Sequence, residues 1–445
     1  MTNKRTHYYT IVFLSSVLTL GITYPCLGKP AASIKSSVNR DERANSGKEK
    51  LIIPYAFPSD SLGTTVGVGG MMKGYHQDQL LIAGTVFGSN EDAKGFIGAF
   101  WDYRIPGTER LYFSMLGGIS NFPNQRAYTE LPRRPSGSRP APPGSNDSDK
   151  DDYVEENGDD NWLEIKLEYV LPIGSMQHSS IAEYYLKNGI LQSGATGGDA
   201  WNPLTSGISV AMFGFKGRYQ SYKSDELTYD ADTTPFRVGF LYNNTDFPTN
   251  PSRGSSQYIA FTQDFSKDSD ASDWSFIEFE ASKYIDLGAS ESSRQRVLAL
   301  NFWTGTSPSW SEETDENGDR FVSKNPPFFE GSRLGGFYRM RAYPNNRFND
   351  RSVIYTTAEY RHTLKWNPAE GVNWLNWLQL DWFQVVAFAE GGRVAGDYDL
   401  GELFSDWKYD GGVGLRAMTA GAVVRLDVAA SEEGVSMWAM FGHPF

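Results

Sequence analysis

The chain has 445 residues, of which 14% are aromatic, 45 are glycine and 21% are charged, with a formal net charge of −13. Beyond an N-terminal leader no stretch approaches the ~20 apolar residues of a membrane-spanning helix. Mean hydropathy is negative, so a membrane protein of this composition crosses by barrel strands or not at all, and the acidic balance argues against nucleic acid as a partner.

Residues 1–28 read as a secretory signal: Lys4, Arg5 and His7 precede an apolar run over 8–22, and Cys26-Leu27-Gly28 offers small residues for cleavage. Cleavage there removes Cys26, the only cysteine, so the exported chain would hold no disulfide and would depend on its strand ladder. Residues 29–50 are polar, small and charged, and read as a disordered periplasmic linker.

From Gly63 onward, strand-like runs are separated by turn signals. They lie near 63–72, 78–88, 93–104, 109–119, 161–171, 207–220, 236–243, 255–265, 274–287, 294–304, 352–365, 379–390, 409–419, 421–431 and 434–445. Bacterial single-chain barrels have even strand numbers, and these runs are one short. Counting crossings from the two ends of the chain disagrees at Pro251-Ser252-Arg253-Gly254. A strand over 181–192, with Tyr184, Tyr185, Leu186 and Ile190, reconciles the counts. The expected fold class is all-β, a single 16-stranded antiparallel transmembrane β-barrel over residues 51–445.

Alternation supports this. Leu163, Ile165, Leu167 and Tyr169 interleave with Glu164, Lys166 and Glu168; Ile277, Phe279 and Ala281 with Glu278 and Glu280; Val424, Leu426 and Val428 with Arg425 and Asp427. One oily and one charged face over ~10 residues is the period of a barrel strand. A soluble β-sandwich alternates in the same way, but the leader, the aromatic content and Phe445 favour the barrel. The expected lumen lining is Glu164, Lys166, Glu168, Glu278, Glu280, Glu359, Arg361, Arg416, Arg425 and Asp427.

Two segments, 131–160 and 311–320, read as solvated loops. Asp315-Glu316-Asn317-Gly318-Asp319 has alternating oxygen ligands, but its glycine is out of place for a calcium loop and no bidentate Glu follows. After the leader the histidines are His76, His178, His362 and His443, none in a metal or nucleophile motif. No catalytic residue, metal or cofactor is expected.

The run at 63–72 carries Gly63, Gly67, Gly69 and Gly70; the last run carries Gly434, Gly442 and Pro444. Glycine adds backbone freedom without cross-strand packing, and proline cannot donate to a ladder. The expectation is a weak seam between these two runs, acting as a lateral gate. The plainer alternative is that the glycines make room for neighbouring aromatics. The last run places Val435, Met437, Ala439, Phe441, His443 and Phe445 on one face.

Residues 334–348 are too rich in Gly, Pro, Asn and Arg for a strand, and contain Met340-Arg341-Ala342-Tyr343. About forty residues later comes Phe388-Ala389-Glu390-Gly391-Gly392, in which Phe388, Glu390 and Gly392 share a face. Taken alone, Arg341 would be a solvated loop charge and Glu390 a hydrated lumen carboxylate. Together, in this order and with Phe445 at the end, the stretches resemble the BamA/TamA superfamily of outer-membrane barrels, the bacterial surface antigens. That family carries Val/Ile-Arg-Gly-Phe/Tyr at the tip of its sixth extracellular loop and Phe-x-Asp-x-Gly on a strand inside the barrel. Here Ala342 stands where Gly is usual and Glu390 where Asp is usual.

The resemblance covers most of residues 51–445. It implies an extracellular loop folded into the lumen, with Arg341 paired to Glu390 by two parallel hydrogen bonds. Gly335 and Gly336 would turn the loop inward, Tyr343 would pack beside Arg341, and Gly392 would leave space for it. A terminal aromatic such as Phe445 resembles the sorting signal read by the barrel assembly machinery. Between the leader and Leu51 there is no room for a POTRA domain, so a barrel-only member is expected. The implied role is to assist proteins or lipids entering or crossing the bacterial outer membrane. Its lipids and lipopolysaccharide, client proteins and periplasmic partners are the implied contacts. A passive diffusion pore lined by the charged residues above is the alternative, and an enzyme ranks last.

Overall fold

The computed structural model describes residues 32–40, 48–59, 63–129, 141–223, 228–265, 273–314, 316 and 320–445. The leader, and most of the Asp315–Asp319 stretch weighed as a calcium loop, lie outside them. Among the described residues no helix is long and apolar enough to cross a membrane. Instead, sixteen antiparallel spans form one sheet. They are β1 (Glu49–Ser59), β2 (Gly63–Lys73), β3 (Leu81–Ser89), β4 (Lys94–Arg104), β5 (Leu111–Ala127), β6 (Val154–Val170), β7 (Ile208–Lys223) and β8, in two pieces (Thr228–Thr233 and Phe236–Asn243). There follow β9 (Gly254–Gln263), β10 (Ser275–Asp286), β11 (Ser293–Thr306), β12 (Ser352–Leu364), β13 (Leu380–Ala395), β14 (Lys408–Thr419), β15 (Ala422–Ser431) and β16 (Gly434–Phe441). The break in β8 falls at Thr234-Pro235, where proline has no N–H to give the ladder onto β7.

Each span ladders onto the next, from β1–β2 to β15–β16. Among the described residues, β1 is laddered only to β2 and β16 only to β15. Leu51 and Ile53 of β1 pack with Ala420 in the β14–β15 turn, so the two ends of the sheet come close.

The faces are inverted relative to a soluble protein. Val66, Val68, Phe96, Ile119, Phe213, Ile259 and Ile277 are exposed, whereas Lys166, Glu168, Glu280, Glu359, Arg361, Arg416, Arg425 and Asp427 are buried. An oily outside and a charged inside suit a sheet whose solvent is lipid. Glu164 and Glu278 lie on the same inward face, half-buried.

Three expectations change. The sixteenth span is not 181–192 but β1, which begins at Glu49 and was hidden in an apolar run containing Pro54 and Pro58. Prolines four apart direct their N positions to the same side, which an edge strand tolerates and a central one does not. Residues 182–193 form a small hairpin, Ala182–Lys187 with Ile190–Ser193, outside the main sheet. The linker is not disordered over its described part: Ser36–Arg40 is a strand laddered in parallel onto that hairpin. It sits at the mouth where β1 starts and β16 ends.

The C-terminus also departs from expectation. β16 stops at Phe441, and Gly442, at φ 78°, turns the tail inward. His443 is buried between Arg416 (Nη1–Nδ1 2.6 Å) and Asn250 (Nε2–Oδ1 3.2 Å). Phe445 stacks on Tyr284 at 6.2 Å with Arg361 over its ring at 5.1 Å. Neither continues the outward face of Val435, Met437 and Phe441.

Candidate functional site

The segment between β11 and β12 is long, and a short antiparallel pair, Ser332–Leu334 with Phe348–Asp350, clamps its base. Beyond the clamp Gly335 and Gly336 adopt φ 104° and 111°, a backbone open to glycine. A Cβ on Gly335 would collide with the Pro344 carbonyl. Met340 (φ 55°) takes the left-handed position at the tip, and the Tyr343 N–H closes the turn onto the Met340 carbonyl at 3.0 Å. Ala342 takes no positive φ, which is why alanine serves where the related motif has glycine.

This turn presents Arg341 to three strands, and the residue is 0% exposed. Its Nε donates to Glu390 Oε1 (3.1 Å) and its backbone N–H to Glu390 Oε2 (2.7 Å). Nη1 donates to Asp427 Oδ2 (2.7 Å), and Nη2 lies 3.0 Å from Glu359 Oε1. The guanidinium sits 3.4 Å from the centroid of the Phe388 ring. The main chain is held as firmly. Ala342 N–H donates to Asp410 (3.0 Å), Trp438 Nε1 donates to the Arg341 carbonyl (2.7 Å) and Ser436 Oγ to that of Ala342 (2.9 Å). The tip therefore joins β12, β13, β14, β15 and β16.

The carboxylates have further partners. Tyr355 Oη donates to Glu390 (2.6 Å), Arg416 and Arg361 both pair with Glu359 (2.7 and 2.8 Å), and Arg425 pairs with Asp427 and donates to the Phe337 carbonyl. Four guanidiniums thus face Glu359, Glu390, Asp410 and Asp427 in a region closed to water, where charges persist only if matched.

Some expected neighbours differ. Arg341 and Glu390 meet, but one of the two hydrogen bonds comes from the backbone, so the pair is not a side-chain fork. Phe388, not Tyr343, lies under Arg341; Tyr343 packs on Phe348 (5.1 Å) and donates to the Tyr409 carbonyl (3.2 Å). Gly392 leaves space for Leu334 and for the β12 backbone: a Cβ there would lie 2.9 Å from Leu334 Cδ1 and 2.8 Å from the Ile354 carbonyl. Gly67, Gly69 and Gly70 belong to β2, which is laddered on both sides, so they are not at an edge. Gly67 makes room for the Tyr55 ring, whose hydroxyl contacts Thr85 at 2.7 Å. Gly434 does open the edge strand β16, at φ 149°.

Two further anchors went unread in the sequence. Phe328-Phe329-Glu330 docks on the opposite wall. There Lys216 pairs with Glu330, and Arg218 is held by Asp160 (3.0 and 2.8 Å) over the Phe329 ring at 4.8 Å. The only hint was an apolar Pro326-Pro327-Phe328-Phe329 in a polar loop. Arg347 is held by Glu433 (2.8 and 2.8 Å) and by Ser148 (2.8 and 2.7 Å), and Asn349 N–H donates to the Gly144 carbonyl (2.7 Å). Residues 141–153 are thus a docked cover, not a solvated loop. Beside the clamp, burial pushes Asp350 up to about 6.

A sheet of sixteen spans with a charged interior and a loop tip buried against five of them defines an outer-membrane barrel class. The Omp85 superfamily domain matches residues 163–434, more than half of the chain, and the chain belongs to that superfamily, whose place is the bacterial outer membrane. Among solved structures it is similar to CdiB from Escherichia coli, with TM-score 0.52, 11% identity, 92% of this chain and 67% of that one. It is also similar to CdiB from Acinetobacter baumannii (0.47, 10%, 88% and 59%). A third is BamA from Haemophilus ducreyi lacking POTRA domains 1-3 (0.46, 10%, 99% and 78%). At these identities the likeness speaks for fold alone. No curated protein matches the chain by sequence.

Proposed function

We propose that the protein is a transmembrane β-barrel of the BamA/TamA type that helps proteins or lipids enter or cross the outer membrane, with the β11–β12 loop folded into its lumen. It works by binding and by opening the β1–β16 seam, with no bond-making step. The observation that carries this reading is the burial of Arg341 against Glu359, Glu390 and Asp427. A loop secured at several walls obstructs small-solute flow, which weighs against a passive pore. It also braces β12–β16 while, among the described residues, β1 is laddered on one side only. Pro54 and Pro58 keep that edge from offering a full row of donors. Lipids and lipopolysaccharide would meet the protein at this edge, and client chains would come from the periplasm.

Depletion of the protein tests the reading. The outer-membrane proteome or lipid asymmetry should change while permeability to small solutes stays constant. Lost permeability with an unchanged proteome and unchanged lipids would make the protein a pore.

A further inference from the structure

The strand Ser36–Arg40 lies across the mouth of the barrel as a separate piece. Five residues pair in parallel with the hairpin, Ser36 with Ala182 through Arg40 with Leu186, and the Ala182 N–H donates to the Lys35 carbonyl at 2.8 Å. Both ends are fixed by charge. At one end Lys35, 1% exposed, places Nζ 3.0 Å from Asp102 of β4 and 2.9 Å from Glu168 of β6. There Ser33 N–H also donates to Glu168 (2.7 Å). At the other end Arg40 pairs with Asp381 of β13 and with Glu49 (3.0 Å). The Lys35 partners belong to β4 and β6 and the Arg40 partners to β1 and β13, so the segment links separate walls of the sheet. Between the anchors Val38 is buried with Tyr184, Leu186 and Trp382.

This is the anatomy of strand addition to a hairpin edge. Main-chain bonds supply sequence-tolerant affinity, and pockets for single side chains supply selection. The pockets are the Asp102–Glu168 pair and the apolar floor at Tyr184. The resident strand is short and parallel, the weaker kind of pairing, and belongs to no larger sheet.

We propose that the 182–193 hairpin, with Asp102 and Glu168, is a binding site for an extended polypeptide segment carrying a lysine three residues ahead of an aliphatic residue, and that residues 33–40 are its built-in occupant. A client or partner segment of this pattern displaces the strand and opens the mouth. The proposal deepens the reading above by naming an extended polypeptide as the ligand. Its test is one of binding, so it can fail while the depletion result stands, and the reverse.

The test uses the full-length protein in detergent, with folding verified by heat-modifiable gel migration. Lys35→Ala weakens the resident strand. The probe is a fluorescent nonapeptide with the sequence of residues 32–40, compared with the same peptide carrying alanine for its lysine. The intact peptide should bind the variant saturably, at least about tenfold more tightly than it binds the unaltered protein, and the alanine peptide at least about tenfold more weakly. A Val38→Cys/Tyr184→Cys pair, placed on residues opposed in the ladder, should exclude the peptide when oxidised and admit it when reduced. That contrast also serves if Lys35→Ala does not fold. Equal binding to both proteins, indifference to the peptide's lysine, or binding to the oxidised pair would overturn the proposal.

Discussion

Replacing Arg341 by alanine removes the cation that holds the loop tip, but its three carboxylates do not suffer alike. Asp427 keeps Arg425, and Glu359 keeps Arg361 and Arg416. Glu390 keeps no second cation among the described ion pairs; what remains to it are the Tyr355 hydroxyl, the main-chain N–H at position 341 and the neighbouring Asp410 carboxyl. The variant therefore strands one buried carboxylate, and breaking a buried pair in this way costs about 3–5 kcal/mol. Glu390→Gln is milder, because Arg341 retains Asp427 and Glu359 and the amide still accepts hydrogen bonds; about 1–3 kcal/mol is expected. Once Arg341 is gone, neutralising Glu390 relieves the stranded charge. The double variant should then fall short of the sum of the single effects by about 0.5–3 kcal/mol, and its stability should approach or exceed that of Arg341→Ala alone. Urea unfolding in micelles, followed by tryptophan fluorescence and heat-modifiable migration, measures all three. Strict additivity, or equal costs for the two single variants, would refute the assignment of Glu390 as the carboxylate that depends on Arg341.

Ala342→Gly, although it restores the usual family residue, should destabilise slightly, by about 0.5–1 kcal/mol in the same assay, because no positive φ is needed there. Gly392→Ala should cost about 1–3 kcal/mol, since its Cβ would press on Leu334 and the β12 backbone. Asp350 has a carboxyl raised in the folded loop from 3.8 to about 6. Its contribution to stability is full below pH ~4 and is lost as pH rises through ~6, by roughly 1–2 kcal/mol. Comparing urea midpoints at pH 5 and pH 7 with those of Asp350→Asn, which should lack this component, checks it. Phe445→Ala should lower stability by about 1–3 kcal/mol through lost packing on Tyr284 and Arg361; an unchanged midpoint would place the ring outside the lumen.

Much of the fold was legible because lipid and lumen impose opposite demands on successive residues. In β6, Lys166 and Glu168 point inward and Leu167 and Tyr169 outward, as a period of two requires. Where that contrast fails, so does the reading. β1 is Leu51-Ile52-Ile53-Pro54-Tyr55-Ala56-Phe57, apolar on both faces and broken by proline, so nothing marks it as a span. Ser36–Arg40 is polar and short, and only its neighbours make it a strand. The Arg341–Glu390 meeting was suggested by two family motifs. Asp427, Glu359 and Asp410 were not linked to Arg341, because the sheet sets their places and no local pattern ties them to the loop. The inward turn of the tail had a local cause in Gly442 and Pro444, which the run of alternating residues before them concealed.

The central claim, that the β11–β12 loop tip rests inside the barrel against β16, is tested most directly by cysteine pairing in whole cells. Ser436 Oγ donates to the Ala342 carbonyl at 2.9 Å, whereas Ser114 lies buried on β5, far round the sheet. An Ala342→Cys/Ser436→Cys protein should form its internal disulfide readily under mild oxidation, and Ala342→Cys/Ser114→Cys should not. Equal crosslinking of the two pairs, or none in the first, would contradict the anchored loop.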